Sequence, residues 1–88
     1  MLALPLASLG LRLAVTGANG YLGCEVVWQA VAQGHTVRAV VRSGSQPHHL
    51  PECEVMRVDD LTDAVSAREA ADGVDAVIHT ASVFQRCD

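Results

Sequence analysis

Residues 16–23 read Thr16-Gly17-Ala18-Asn19-Gly20-Tyr21-Leu22-Gly23. Three glycines stand at every third position, between two runs of different periodicity. Upstream, Leu11-Arg12-Leu13-Ala14-Val15-Thr16 is short, apolar and partly β-branched, which is the pattern of a strand buried in a parallel sheet. Downstream, from Gly20 to Gln33, the spacing is helical. At about 100° per residue, Leu22, Val26, Val27, Ala30 and Val31 share one apolar stripe, with Gly23 near its centre. Gly34 supplies the C-terminal stop.

Strand, glycine turn and helix make up the opening half of a dinucleotide-binding unit. Gly17 is expected to permit the tight turn, Gly20 to let the backbone approach a pyrophosphate, and Gly23 to let the helix press on the sheet. The helix N-terminus adds unpaired N–H groups and a partial positive charge, both suited to an anion.

The remaining elements follow in order. Thr36 to Val41 reads as a second strand, and residues 43–52, with Gly44, Pro47 and Pro51, as a loop too short for a full crossover helix. Cys53 to Val58 reads as a third strand. Residues 63–72 read as a helix with Thr62 as N-cap, Asp63 in the first turn and Gly73 at C′. Its inward face is expected to be alanine (Ala64, Ala67, Ala71). Val74 to His79 reads as a fourth strand. The pattern β-α-β-loop-β-α-β predicts an α/β fold, a partial Rossmann doubly wound parallel sheet with right-handed crossovers and strand order 3-2-1-4. A ligand would lie over the carboxyl ends of the strands, where the glycine octet, Arg42, Asp60 and Thr80 converge.

Composition narrows the function. Eighty-eight residues make at most one small domain, and half are apolar. A net charge of −4, with six scattered arginines and no lysine, argues against nucleic acid and anionic membrane as partners. No run is long and apolar enough to span a bilayer. Cys24, Cys53 and Cys87 lack metal-ligand or redox spacing and read as reduced structural thiols of a cytoplasmic protein. Residues 1–10 are apolar but lack a basic start, so they read as an extension leading into the first strand rather than an export signal. His48 and His49 read as solvent-facing. Trp28 falls opposite the apolar stripe of its helix, either simply exposed or covered by another domain or subunit.

The octet resembles the fingerprint of the extended short-chain dehydrogenase/reductase superfamily, which includes the NAD-dependent epimerase/dehydratases and the dihydroflavonol reductase-like and 3β-hydroxysteroid dehydrogenase-like proteins. The resemblance runs from about Leu11 to Ser82. It continues through Gln33-Gly34-His35-Thr36-Val37-Arg38-Ala39-Val40-Val41-Arg42, Asp60-Leu61-Thr62-Asp63 and Gly73-Val74-Asp75-Ala76-Val77-Ile78-His79-Thr80-Ala81-Ser82. It implies a dinucleotide cofactor held by Gly17, Asn19, Gly20, Tyr21, Leu22 and Gly23. It also implies that Asp60 accepts from the adenine amine while Leu61 covers the ring, although Asp59 stands where the family often has glycine. Thr80, Ala81 and Ser82 would lie beside the ribose and pyrophosphate. His79 reads as a structural histidine at a strand end.

Arg42 ends the second strand about 20 residues after the octet, where an NAD-selective site has an acid. An arginine there pairs with a 2′-phosphate, so NADP is expected over NAD. Ser43 would add a hydroxyl, and Arg38, alternating along the strand, reads as a face residue. The family's reduction chemistry uses a tyrosine and a lysine four residues later. Here the one tyrosine, Tyr21, lies in the phosphate loop and there is no lysine, so catalytic residues are not expected in this chain.

Three readings therefore stand. The chain is the cofactor-binding portion of an NADP-dependent oxidoreductase or epimerase, a non-catalytic NADP-binding or redox-sensing module, or an inert truncated fragment. On the first, residues 11–88 are the amino-terminal portion of the domain, its substrate region and substrate lie elsewhere, and the exposed fourth-strand edge offers a route to oligomers.

Overall fold

The computed structural model describes residues 10–45 and 49–80. Strand β1 is Arg12–Thr16, helix α1 Tyr21–Ala32, β2 Thr36–Arg42, β3 Glu54–Val58, helix α2 Ala64–Ala71 and β4 Ala76–His79. All strand pairings are parallel, and the sheet order is β3-β2-β1-β4, as the alternation of elements predicts. Strand ends shift slightly from the sequence expectation. β3 begins at Glu54 rather than Cys53, β4 at Ala76 rather than Val74, and β2 runs on to Arg42.

Successive side chains of a strand point to opposite faces, so both faces of the two central strands must be apolar. On one face Leu13, Val15, Val37, Ala39 and Val41 pack with Val27 and Ala30 of α1. On the other, Ala14 and Val40 pack with Val58 and with Ala70 of α2. One helix on each face makes the sheet doubly wound.

Helix α1 ends in a Schellman closure. Gly34 adopts φ +92°, its N–H donates to Val31, and the N–H of His35 donates to Ala30. At the opposite end of the sheet from the glycine turn, Asp75 and Arg12 are joined twice. Arg12 N–H donates to the Asp75 carboxylate (2.8 Å), and Asp75 N–H donates to the Arg12 carbonyl (2.6 Å).

Helix α2 departs from expectation at its N-cap and on its buried face, while Gly73, at φ +78°, follows the C-cap Asp72 at C′ as expected. Its N-cap is Asp63, whose carboxylate accepts the N–H of Ser66 at 3.0 Å. Thr62 is not the cap because its hydroxyl and N–H both donate to Asp60 Oδ1 (2.6 and 2.9 Å). The buried residue is Ala70, not Ala64, Ala67 or Ala71, which are exposed. Arg38 fixes this end of the helix. It does lie on the sheet face, but its Nη1 donates to the carbonyls of Glu69, Ala70 and Asp72 (3.2, 2.8 and 2.8 Å), while Nε pairs with Glu54 (3.1 Å). The Glu69 carbonyl also accepts the Asp72 N–H (3.2 Å), and the guanidinium adds donors for carbonyls that the end of the helix leaves open.

Replacing Arg38 with methionine keeps the apolar stem and removes every donor. We expect a loss of about 1.5–3 kcal/mol, the worth of hydrogen bonds to a charged group. Denaturant unfolding measures it. Arg38→Lys, with no planar fork, should recover only part. A midpoint unchanged in Arg38→Met would show the clamp to be unimportant.

Candidate functional site

The carboxyl ends of the strands open into one cleft of about 750 Å³. Gly17, Asn19, Gly20, Tyr21, Leu22, Gly23, Arg42, Asp60, Leu61 and Thr80 all line it. The structure thus brings together every expected contact within the described residues. Ala81 and Ser82 lie outside them, as do His48 and Cys87. Val40, Val41, Val58 and Asp59 complete the lining, and the sequence reading had not assigned them to the site. The three valines carry no signal beyond an apolar strand end. Asp59 is marked by following β3 and by standing where the family often has glycine.

The turn after β1 is built by its glycines. Gly17 sits at φ +66°, left-handed backbone that a side chain strains. Gly20 N–H closes the turn on the Gly17 carbonyl (3.0 Å), and Ala18 N–H ties it to the Val40 carbonyl of β2 (3.2 Å). Gly23 is buried, and a Cβ there would lie 2.1 Å from the Gly17 oxygen. A Cβ on Gly20 would keep an ordinary 3.5 Å from the same atom, so Gly20 is the open wall of the turn.

Helix α1 points its N-terminus into the cleft. Gly20 is the N-cap and offers no side-chain acceptor, and the first turn contains no acidic residue. Its N–H groups and the positive end of the dipole are therefore left for an incoming anion. Leu22 departs from the helical-wheel expectation. It is 63% exposed, because the first turn extends past the sheet and turns that side chain to the cleft. Tyr21 is fully exposed at the same mouth.

At the β1–β4 junction a set of hydrogen bonds joins the two strand ends. Thr80 N–H donates to Thr16 Oγ1 (3.1 Å), and the Thr16 hydroxyl is hydrogen-bonded to His79 Nδ1 at 2.7 Å. The Thr80 hydroxyl donates back to the Thr16 carbonyl. This circuit fixes the two strand ends against each other beneath the glycine turn.

Asp60 stands on the far wall. The Thr62 hydroxyl and then the Thr62 N–H hold its carboxyl below the usual value of 3.8; desolvation opposes them, and the charge of Arg42 adds a lesser lowering. A depressed folded value stabilises the turn above the unfolded pKa, and this contribution is lost as pH falls through the folded one. The Asp60 carboxyl should therefore titrate below 3.8 by NMR, and Thr62→Val should bring its midpoint upward. A wild-type midpoint at or above 3.8 would contradict this arrangement.

Other candidate groups stand apart from the cleft. Cys24 and Cys53 carry free thiols, and burial followed by the Glu54 charge pushes the Cys53 thiol up, away from reactive thiolate. No group of His, Cys, Asp and Glu able to hold a metal exists among the described residues, and none of their helices is long and apolar enough to cross a membrane. Trp28 is 47% exposed, and its indole N–H donates to the His49 carbonyl.

A parallel sheet of order 3-2-1-4 with a glycine-lined cleft at its carboxyl edge defines a dinucleotide-binding fold. A family model described as NAD(P)H-binding matches residues 17–86. The chain belongs to this NAD(P)H-binding family, within the extended short-chain dehydrogenase/reductase superfamily.

Among curated proteins it is similar to a 3β-hydroxysteroid dehydrogenase/Δ5→4-isomerase of Mycobacterium tuberculosis, 36% identical over 74 residues, covering 84% of this chain and 20% of that one. It is also similar to cinnamoyl-CoA reductase 1 of Arabidopsis thaliana, 37% identical over 81 residues, covering 83% and 24%. Among solved structures it resembles a nucleoside-diphosphate-sugar epimerase from Pseudomonas aeruginosa, with a TM-score of 0.71 and 30% identity, covering 80% and 24%. A short-chain dehydrogenase/reductase superfamily protein from Agrobacterium tumefaciens with bound NAD matches at a TM-score of 0.58 and 31% identity, covering 81% and 20%. The chain thus spans about a fifth to a quarter of the length of these relatives.

Proposed function

We propose that the cleft holds a nicotinamide dinucleotide, NADP over NAD, and that the chain serves as the cofactor-binding portion of an extended short-chain-type oxidoreductase or epimerase. One observation carries this reading. An acid-free helix N-terminus, a glycine wall, Arg42 and Asp60 line a single cleft at the carboxyl edge of the sheet. The donor set fits the group, with backbone N–H groups for a pyrophosphate, a guanidinium for a 2′-phosphate and a carboxylate for an exocyclic amine.

Each part of the chain then has a task. Gly20 leaves the approach to the α1 N-terminus open, and Gly17, Asn19, Tyr21, Leu22 and Gly23 shape the phosphate side. Arg42 faces the adenosine 2′ position. Asp60 accepts from the adenine amine beside Leu61. Thr80, followed by Ala81 and Ser82, borders the ribose. When bound, the cofactor supplies or accepts the hydride. The groups that move protons in this family, a tyrosine and a lysine, have no counterpart here, since the one tyrosine is Tyr21 and there is no lysine. A second reading, a non-catalytic nucleotide-binding or redox-sensing module, would use the same cleft.

Calorimetric titration with NADPH and NADH tests both. NADPH should bind about tenfold more tightly, the ratio given by 1.4 kcal/mol. No binding of either cofactor would overturn both readings. Equal affinity would remove the role given to Arg42.

A further inference from the structure

The described residues of the β2–β3 connection hold no helix, yet the connection follows Arg42, the side chain assigned to cofactor choice. Something other than helix packing must hold it. Residues 42–45 form a tight turn in which Ser45 N–H donates to the Arg42 carbonyl (3.0 Å) and Gly44 takes φ +91°. The turn is fastened to β3 at two points. Ser43 N–H donates to the Val58 carbonyl (2.8 Å), and Arg57 Nη1 donates to the Ser45 carbonyl (2.7 Å). Further along, Trp28 Nε1 donates to the His49 carbonyl, so the connection is also tied to α1. Arg57 itself does not line the cleft. In the register of the sheet it pairs with Val41, and Arg42 pairs with Val58. The two arginines therefore leave the sheet on opposite faces.

We infer that Arg57 is a positioning residue for cofactor preference: by holding the Ser45 carbonyl it sets the turn that presents Arg42 to the 2′-phosphate of NADP. The inference rests on the NADP reading above and goes beyond it, since it assigns specificity to a residue outside the cleft. An exposed arginine side chain has many rotamers, and fixing the backbone at its root reduces the ordering that ligand binding must impose. NADH has no 2′-phosphate and gains nothing from the turn. Arg57 should thus act on one cofactor and leave the other unchanged.

The experiment titrates NADPH and NADH into the full chain and into Arg57→Ala, Arg57→Lys and Gly44→Ala. Gly44→Ala strains the same turn without touching Arg57, and an added Cβ there meets nothing within 4 Å. Arg57→Ala should weaken NADPH about tenfold, in line with loss of one charge-assisted hydrogen bond, and NADH by less than about twofold. Arg57→Lys, which keeps a donor, should recover most of the NADPH affinity. Gly44→Ala should reproduce the selective loss, and it carries the test if Arg57→Ala fails to fold. Loss of both cofactors in equal measure, or an unchanged NADPH-to-NADH ratio in Arg57→Ala and Gly44→Ala, overturns the inference while the NADP reading stands. A wild-type chain without NADPH preference overturns the reading first and the inference with it.

Discussion

Gly23→Ala is expected to abolish cofactor binding and to lower the unfolding midpoint sharply. The new Cβ would lie 2.1 Å from the Gly17 oxygen, 2.7 Å from the Gly17 carbonyl carbon and 2.7 Å from Thr80 Oγ1. Two of these atoms are backbone. The turn that holds them is tied down by Gly20 N–H on the Gly17 carbonyl and by Ala18 N–H on Val40. Relief therefore requires helix α1 to lift from the turn or the turn to open. Overpacking of this kind costs about 1–3 kcal/mol, and this small sheet has little stability to spare. Gly20→Ala is the control. Its Cβ meets the Gly17 oxygen at an ordinary 3.5 Å, so the fold should survive while the side chain occupies the wall offered to the pyrophosphate. Thermal unfolding and cofactor titration of the two variants separate folding from binding. If Gly23→Ala unfolds and binds like the wild type, the close packing of helix on turn is wrong.

Arg42→Asp should invert cofactor preference. Arg42 is exposed at the end of β2 and lines the cleft with Asp60. Its loss removes a charge-assisted contact worth about 1.5–3 kcal/mol, a ten- to hundredfold fall in NADPH affinity. The new carboxylate also repels a 2′-phosphate and accepts instead from ribose hydroxyls, which favours NADH. Because the side chain is on the surface, folding stability should change by no more than about 0.5 kcal/mol. Affinities for both cofactors, measured at one salt concentration, check the inversion. A variant that still prefers NADPH would move the source of preference away from Arg42.

The sequence was most informative where residue type meets a geometric need. Valine-rich strands alternating with helices specify a parallel sheet covered on both faces, and the handedness of crossovers then leaves the order 3-2-1-4. The glycine spacing located the cleft because left-handed backbone at Gly17 and close packing at Gly23 exclude other residues.

Helix α2 was less legible, for reasons that are also physical. Its face is drawn from several similar alanines, so periodicity offers little contrast and Ala70 could not be singled out. Thr62 and Asp63 are adjacent, and both residue types cap helices. The choice between them fell to Asp60, which engages Thr62 first. The Arg38 clamp joins residues more than 30 positions apart, so it depends on how α2 sits over β2. No local pattern in the sequence encodes that. Leu22 matched the apolar stripe by angle alone, but the first turn of α1 lies beyond the sheet that would have covered it.

The central claim is that a dinucleotide lies in the cleft at the carboxyl edge of the sheet. Amide NMR of the isotopically labelled chain during an NADPH titration tests it most directly. The account predicts saturable shifts at Gly17, Asn19 to Gly23, Arg42, Ser43, Asp60 and Leu61, with the Arg12–Asp75 end of the sheet unmoved. Saturable shifts confined to that opposite end, or no shifts at any NADPH concentration, would contradict it.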